Sequence, residues 1–143
     1  MSFAASHSAQ MYAKVGLETN VASASPHQLI LMLFDGALLA IAKANTSMLN
    51  KQIAEKGQAI SHAIDIISNG LGASLNLSAG DELANRLASL YDYMCTRLLY
   101  ANLNNDPAAL TEVSGLLGEI KMAWEAIASD PDVLAYQAKK AAA

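Results

Sequence analysis

Apolar residues recur along this chain at helical spacing, and nowhere do they alternate as a half-buried strand requires. Ser25-Pro26-His27-Gln28 opens the first such run. Ser25 suits an N-cap, Pro26 the first helical position, where its missing N–H costs nothing, and Gln28 closes a capping box. The helix this predicts runs to about Leu49, just before Asn50. A second is predicted from about Gln52 to Ala73, where Ile60, Ile64, Ile67 and Leu71 step by 4, 3 and 4. Asn69-Gly70 and Gly72 weaken its end; Asn-Gly is also a hairpin signal, but no alternating strand flanks it. After a turn at residues 76–80, a third helix is expected from about Asp81 to Asn104. Leu83, Leu87, Leu90, Met94 and Ala101 share one side of it, with Leu98 beside them. Asp106-Pro107 repeats the Ser25-Pro26 opening and starts a fourth helix. Its apolar residues Leu110, Val113, Leu117, Ile120, Trp124 and Ile127 are spaced 3, 4, 3, 4 and 3, an unbroken heptad seam that Asp130-Pro131 ends.

Helices of similar length joined by short connections predict an all-α fold, an antiparallel up-down four-helix bundle over residues 25–129. Residues 1–24 are small and polar, with isolated apolar Met11, Tyr12, Val15 and Leu17, and read as a loosely held N-terminal arm or short extra helix. Residues 130–143 read as a C-terminal tail.

Composition sharpens this picture. Hydrophobic residues make up 53% of the 143, but charged ones only 15%, against about a quarter in ordinary soluble domains. High apolar content and a net charge of -4 argue against disorder. A pI near 5.2 and the lack of a basic stripe argue against nucleic-acid binding. The lone Cys95 forms no internal disulfide, which suits a reducing cytoplasm. The first residues lack the basic start and apolar core of a signal peptide. The most apolar stretch, Leu29 to Ala42, has 14 residues interrupted by Asp35 and Gly36. A bilayer span needs about 20, so no membrane insertion is expected.

The inventory for catalysis is poor. His7, His27 and His62 fall on the arm and two different helices, and no Glu-x-x-His, Cys-x-x-Cys, phosphate loop or nucleophile elbow occurs. No cofactor or metal site is expected, and no enzyme. His62 and Asp65 read as a solvated helical pair, Cys95 as a small packed residue, and Phe34, Met94 and Trp124 as core.

The first and third helices carry more apolar surface than one core needs. Leu29, Ile30, Leu31, Met32, Leu33 and Phe34 are six in a row and point all around a helix, whereas about three per heptad suffice. Ile30, Phe34, Ala37 and Ile41 form one stripe; Leu31, Leu38 and Ala42 form a second. Behind its core stripe the third helix carries Tyr91, Cys95, Leu99 and Leu103, with Tyr93 and Tyr100 near the edges. Either the arm and tail cover these second stripes, or they form a groove for an amphipathic segment of another protein. Leu31, Leu38, Ala42, Tyr91, Leu98 and Leu99 are the residues expected to line that groove, and Tyr12, Val15 and Leu17 the arm's contacts. Asp92 and Arg97 either orient a partner or are simply solvated. A helical structural or adaptor module that self-associates through the same stripes is the alternative the residues leave open.

Ala24-Ser25-Pro26-His27-Gln28-Leu29-Ile30, followed by Met32-Leu33-Phe34-Asp35-Gly36-Ala37, resembles the first-helix signature of the flagellar secretion chaperone FliS family. Leu90-Tyr91-Asp92-Tyr93-Met94 with Arg97-Leu98 is similar to that family's third-helix signature. Ala101-Asn102, then Glu112-Val113, Leu116-Leu117 and Ala123-Trp124, resembles its last helix; Tyr12, Val15, Glu18 and Thr19 resemble its N-terminal segment. Thr96 stands where the family is often basic, and Ala9 where a larger apolar residue sometimes stands. The resemblance implies a cytoplasmic chaperone, a monomer or weak homodimer. Such a protein binds the C-terminal segment of flagellin, prevents premature polymerisation and docks with its cargo on the cytoplasmic domain of the export gate. In that setting Tyr12 is either an arm contact or an export-gate contact.

Overall fold

A computed structural model describes residues 24–75 and 81–128. Helix α1 spans Pro26–Leu49 and α2 Ile53–Asp65, the latter continuing through a π-helical turn at Ile66–Leu71 and a 3-10 turn at Gly72–Ser74. Helix α3 spans Glu82–Asn104 and α4 Pro107–Ala128, and no strand occurs among the described residues. The chain is all-α.

Local chemistry sets the ends. Ser25 accepts the Gln28 N–H at 3.1 Å while the Gln28 side chain accepts the Ser25 N–H at 2.9 Å, completing the capping box. Asp81 caps α3 by accepting from Leu83 N–H, and Asp106 caps α4 by accepting from Ala108 N–H. Asn105 closes α3 in the left-handed region at φ 48°, a conformation asparagine tolerates better than most residues.

Contacts between helices define the topology. Trp124, near the end of α4, meets His27 at the start of α1, and Lys121 reaches Asp35. Lys56 at the start of α2 meets Asn102 and Asn105 at the end of α3, while Arg97, late in α3, meets Glu112, early in α4. Each neighbouring pair is therefore antiparallel. Helix α1 packs against α2 and α4, α3 packs against the same two, and α1 and α3 occupy opposite corners.

The core explains the apolar run in α1. Leu29, Leu33, Phe34, Ala37, Ala40, Ile41 and Ala44 are all buried, a wide arc shared between α2 and α4. The second expected stripe splits: Leu31 and Leu38 are half-buried, whereas Ala42 is exposed. By length and composition alone α1 is apolar enough to cross a membrane, longer than the 14-residue stretch suggested, but within the bundle that arc faces other helices.

In α3 the core face is rotated from the expected one. Ala84, Tyr91, Met94, Leu98 and Ala101 are buried with Leu87 half-buried, a 3, 4, 3, 4, 3 seam, while Leu83 is 63% exposed. Leucines at 83 and 90 disguised this register, because two overlapping heptads can be drawn through the same helix. In α4 the buried residues are Ala109, Leu110, Val113 and Leu117; Ile120 and Trp124 are half-buried and Ile127 is 39% exposed. The π-turn follows the glycines that weaken α2, and its wider coil turns Ile66, Ile67, Gly70 and Leu71 all inward.

Candidate functional site

Two surfaces were expected to cooperate in one groove, and the bundle separates them. Leu31, Leu38 and Ala42 stand on α1, and Tyr91, Leu98 and Leu99 on α3, at opposite corners whose outer faces point away from each other. Leu98 is 0% and Tyr91 5% exposed, so both belong to the core rather than to a groove. Burial also pushes the Tyr91 hydroxyl up to about 12. The physical reason is the rotated α3 register: the stripe expected to face outward is in part the one the core takes. Leu99 alone among the three α3 residues is open to solvent, at 53% exposed. Tyr12, Val15 and Leu17 lie outside the described residues.

A coherent exposed face nevertheless exists on the second half of α3. Leu99, Leu103, Tyr93 and Tyr100 all stand open, Leu103 at 81%. They surround Arg97, which is far from simply solvated. Its Nε–H donates to Glu112 Oε1 of α4 at 2.8 Å, and its guanidinium carbon sits 4.7 Å over the Tyr100 ring. The Tyr93 hydroxyl donates to the other Glu112 oxygen. Those two donors, Tyr93 first and Arg97 second, hold the Glu112 carboxyl below its ordinary value; Glu112 in turn raises the Tyr93 hydroxyl and the Arg97 guanidinium. Asp92 is exposed on the same helix.

At its α2 edge this face meets Cys95, half-buried, whose thiol lies 3.9 Å from the Ile64 carbonyl. Burial and then Asp92 push that thiol up to about 11, so it is a packed residue and no nucleophile. Ile53, on the first turn of α2, is 75% exposed.

The opposite side of the molecule is closed by polar clasps. Trp124 stacks on His27 with centroids 4.7 Å apart and planes 6° from parallel, and its Nε1–H donates to the His27 carbonyl at 3.1 Å. Lys121 pairs with Asp35 at 2.6 Å and with Glu125 at 3.6 Å. These contacts draw α4 over the flank of α1 on which Leu31 and Leu38 stand. Sequence reasoning placed Trp124 in the core through its heptad position and had no signal for the clasp.

Chemistry for catalysis does not assemble. Among the described residues no group of three or more His, Cys, Asp or Glu is placed to hold a metal ion. An open cleft between α1 and α2, about 240 Å³, is lined by Ala40, Lys43, Glu55, Gln58, Ala59 and His62. Asp65, the other member of the expected pair with His62, accepts a hydrogen bond from Asn69 at 2.6 Å.

Comparison with known proteins agrees with the residues quoted above. A family model described as flagellar protein FliS matches residues 8–131. The chain is 53% identical over 116 residues to the flagellar secretion chaperone FliS of Salmonella typhimurium, covering 81% of this chain and 86% of that one. It is 45% identical over 125 residues to the Escherichia coli protein of that name, covering 87% and 92%. It is also 45% identical over 118 residues to the flagellar secretion chaperone FliSB of Pseudomonas aeruginosa, covering 82% and 93%.

Proposed function

The chain belongs to the flagellar protein FliS family of secretion chaperones, and from that premise we propose that it binds the C-terminal segment of flagellin through the outer face of α3. Its action is that of a chaperone and not of an enzyme. One observation carries the choice of face: Tyr93, Leu99, Tyr100 and Leu103 form a row of large exposed apolar side chains on one helix. Contiguous exposed apolar surface on a soluble bundle marks a place where a partner docks.

The physics is coupled folding and binding. A flagellin segment that is disordered when free loses conformational entropy as it docks, and apolar burial offsets that cost at roughly 25 cal/mol per Å². Covering the segment in the cytoplasm prevents premature polymerisation, and the loaded complex then docks on the export gate. Release has to remain possible. An arm bearing Tyr12, Val15 and Leu17 that competes for the same face lowers the apparent affinity by the fraction of open molecules. The chaperone acts as a monomer or weak dimer in a one-to-one complex.

Leu99→Glu and Leu103→Glu test this reading. Both positions are exposed, so helical content and stability are expected to change by less than about 0.5 kcal/mol. Binding of a flagellin C-terminal peptide, followed by calorimetry, is expected to be lost, because docking would bury an unpaired carboxylate. Wild-type affinity in both variants would sink the assignment. A light-scattering mass that stays at higher oligomers when flagellin is added would favour a self-associating module instead.

A further inference from the structure

Arg97 is held in place by the bundle on two sides, and its outer edge is left unused. Its Nε–H is committed to Glu112 and its flat face to Tyr100, while its two terminal nitrogens make no hydrogen bond among the described residues. The side chain is 28% exposed, so those terminal N–H groups reach the surface. Around them stand Tyr93, Leu99, Tyr100 and Leu103, a setting in which an arriving apolar surface displaces water. A guanidinium so fixed has little rotamer freedom left to lose on binding.

The surrounding charge selects what those donors can take. Glu112 already contacts Arg97, and Asp106 also acts on its guanidinium, so the site holds two carboxylates against one cation. A further full negative charge is repelled. A neutral acceptor with a partial negative charge is not. The C-terminal turn of an α-helix has that chemistry: up to four carbonyls without intrahelical partners and about half a unit of negative charge.

We propose that Arg97 is the anchor for the C-terminal turn of an amphipathic helix of the partner, whose apolar stripe lies along Leu99 and Leu103 and whose last carbonyls accept from the Arg97 terminal nitrogens. This rests on α3's outer face being the flagellin-binding face, and it adds which end of the bound helix sits where. Selectivity follows from it. A segment whose helix ends at this point satisfies its carbonyls, and one whose helix continues past it leaves the guanidinium edge covered and unpaired.

Calorimetry with the full chain and a peptide of flagellin's C-terminal segment tests the anchor. Arg97→Met keeps the apolar stem and removes every donor; affinity is expected to fall about 10- to 100-fold. Arg97→Lys, a point charge without the planar fork, is expected to fall between the two. Glu112→Gln removes the ion pair but leaves the guanidinium, and binding is expected to stay within about threefold of wild type. Thermal melts of each free variant show that the bundle still folds. Wild-type affinity for Arg97→Met, with binding abolished in Leu99→Glu, would overturn the anchor and leave the face standing. A loss in Glu112→Gln as large as in Arg97→Met would also overturn it, since Arg97 would then act only through its pair with α4. If Leu99→Glu and Leu103→Glu bind normally, the face itself is wrong, and the two failures remain distinct.

Discussion

The ammonium of Lys56 sits where α2 begins and α3 ends. The residue is only 5% exposed, and its Nζ donates to the Asn102 carbonyl at 3.0 Å and to Asn105 Oδ1 at 2.6 Å. A cation at a helix C-terminus is favourable, because unpaired carbonyls concentrate negative partial charge there. The same contact steadies Asn105 in its left-handed conformation. Lys56→Met keeps the stem and strands both acceptors; it is expected to cost about 1–2 kcal/mol in urea unfolding, and an unchanged midpoint would show the contact to be idle. Nothing in the local sequence marks Lys56 for this role, since it sits in the polar stretch Glu55-Lys56-Gly57-Gln58. Arg97 is a similar case: its partner Glu112 is 15 residues away on another helix.

At the scale of elements, helix ends follow local chemistry and helix faces do not. Ser25, Asp81 and Asp106 cap where their residue types and neighbours require. The face of α3 depends on which of two interleaved apolar rows the other helices cover, and helix α4 carries a related ambiguity. Gly115 and Gly118 stand in its middle, and a Cβ added to either would meet nothing within 4 Å. They serve no packing within the chain, while mid-helix glycine costs about 1 kcal/mol relative to alanine. Gly115→Ala and Gly118→Ala are therefore each expected to raise stability by about 0.5–1 kcal/mol. A lower unfolding midpoint in either variant would contradict this view of α4's outer side.

For the whole molecule, the His27–Trp124 clasp ties the first turn of the bundle to its last and makes stability depend on pH. Burial holds the His27 imidazole below its ordinary 6.5, and its Nε2 has no hydrogen-bond partner. The folded chain thus binds fewer protons there than the unfolded chain, so this contribution is full above about pH 6.5 and declines as the pH falls below it. Glu112, held below its ordinary 4.5, adds the same sign at lower pH. Urea midpoints taken from about pH 7.5 down to about pH 5 are expected to fall in wild type and to flatten in His27→Gln; equal slopes would remove His27 from the explanation. Helix number and type, the capped ends and the family were determined by the sequence alone, because each rests on neighbours a few residues apart or on motifs read in order. Which face of α3 is covered, that α1 and α3 stand at opposite corners, and that Arg97 is held by Glu112 and Tyr100 were decided only in three dimensions. Burial is a property of helices packed together. A periodic pattern fixes how apolar residues are spaced around one helix, but the neighbouring helices choose which of its rows turns inward.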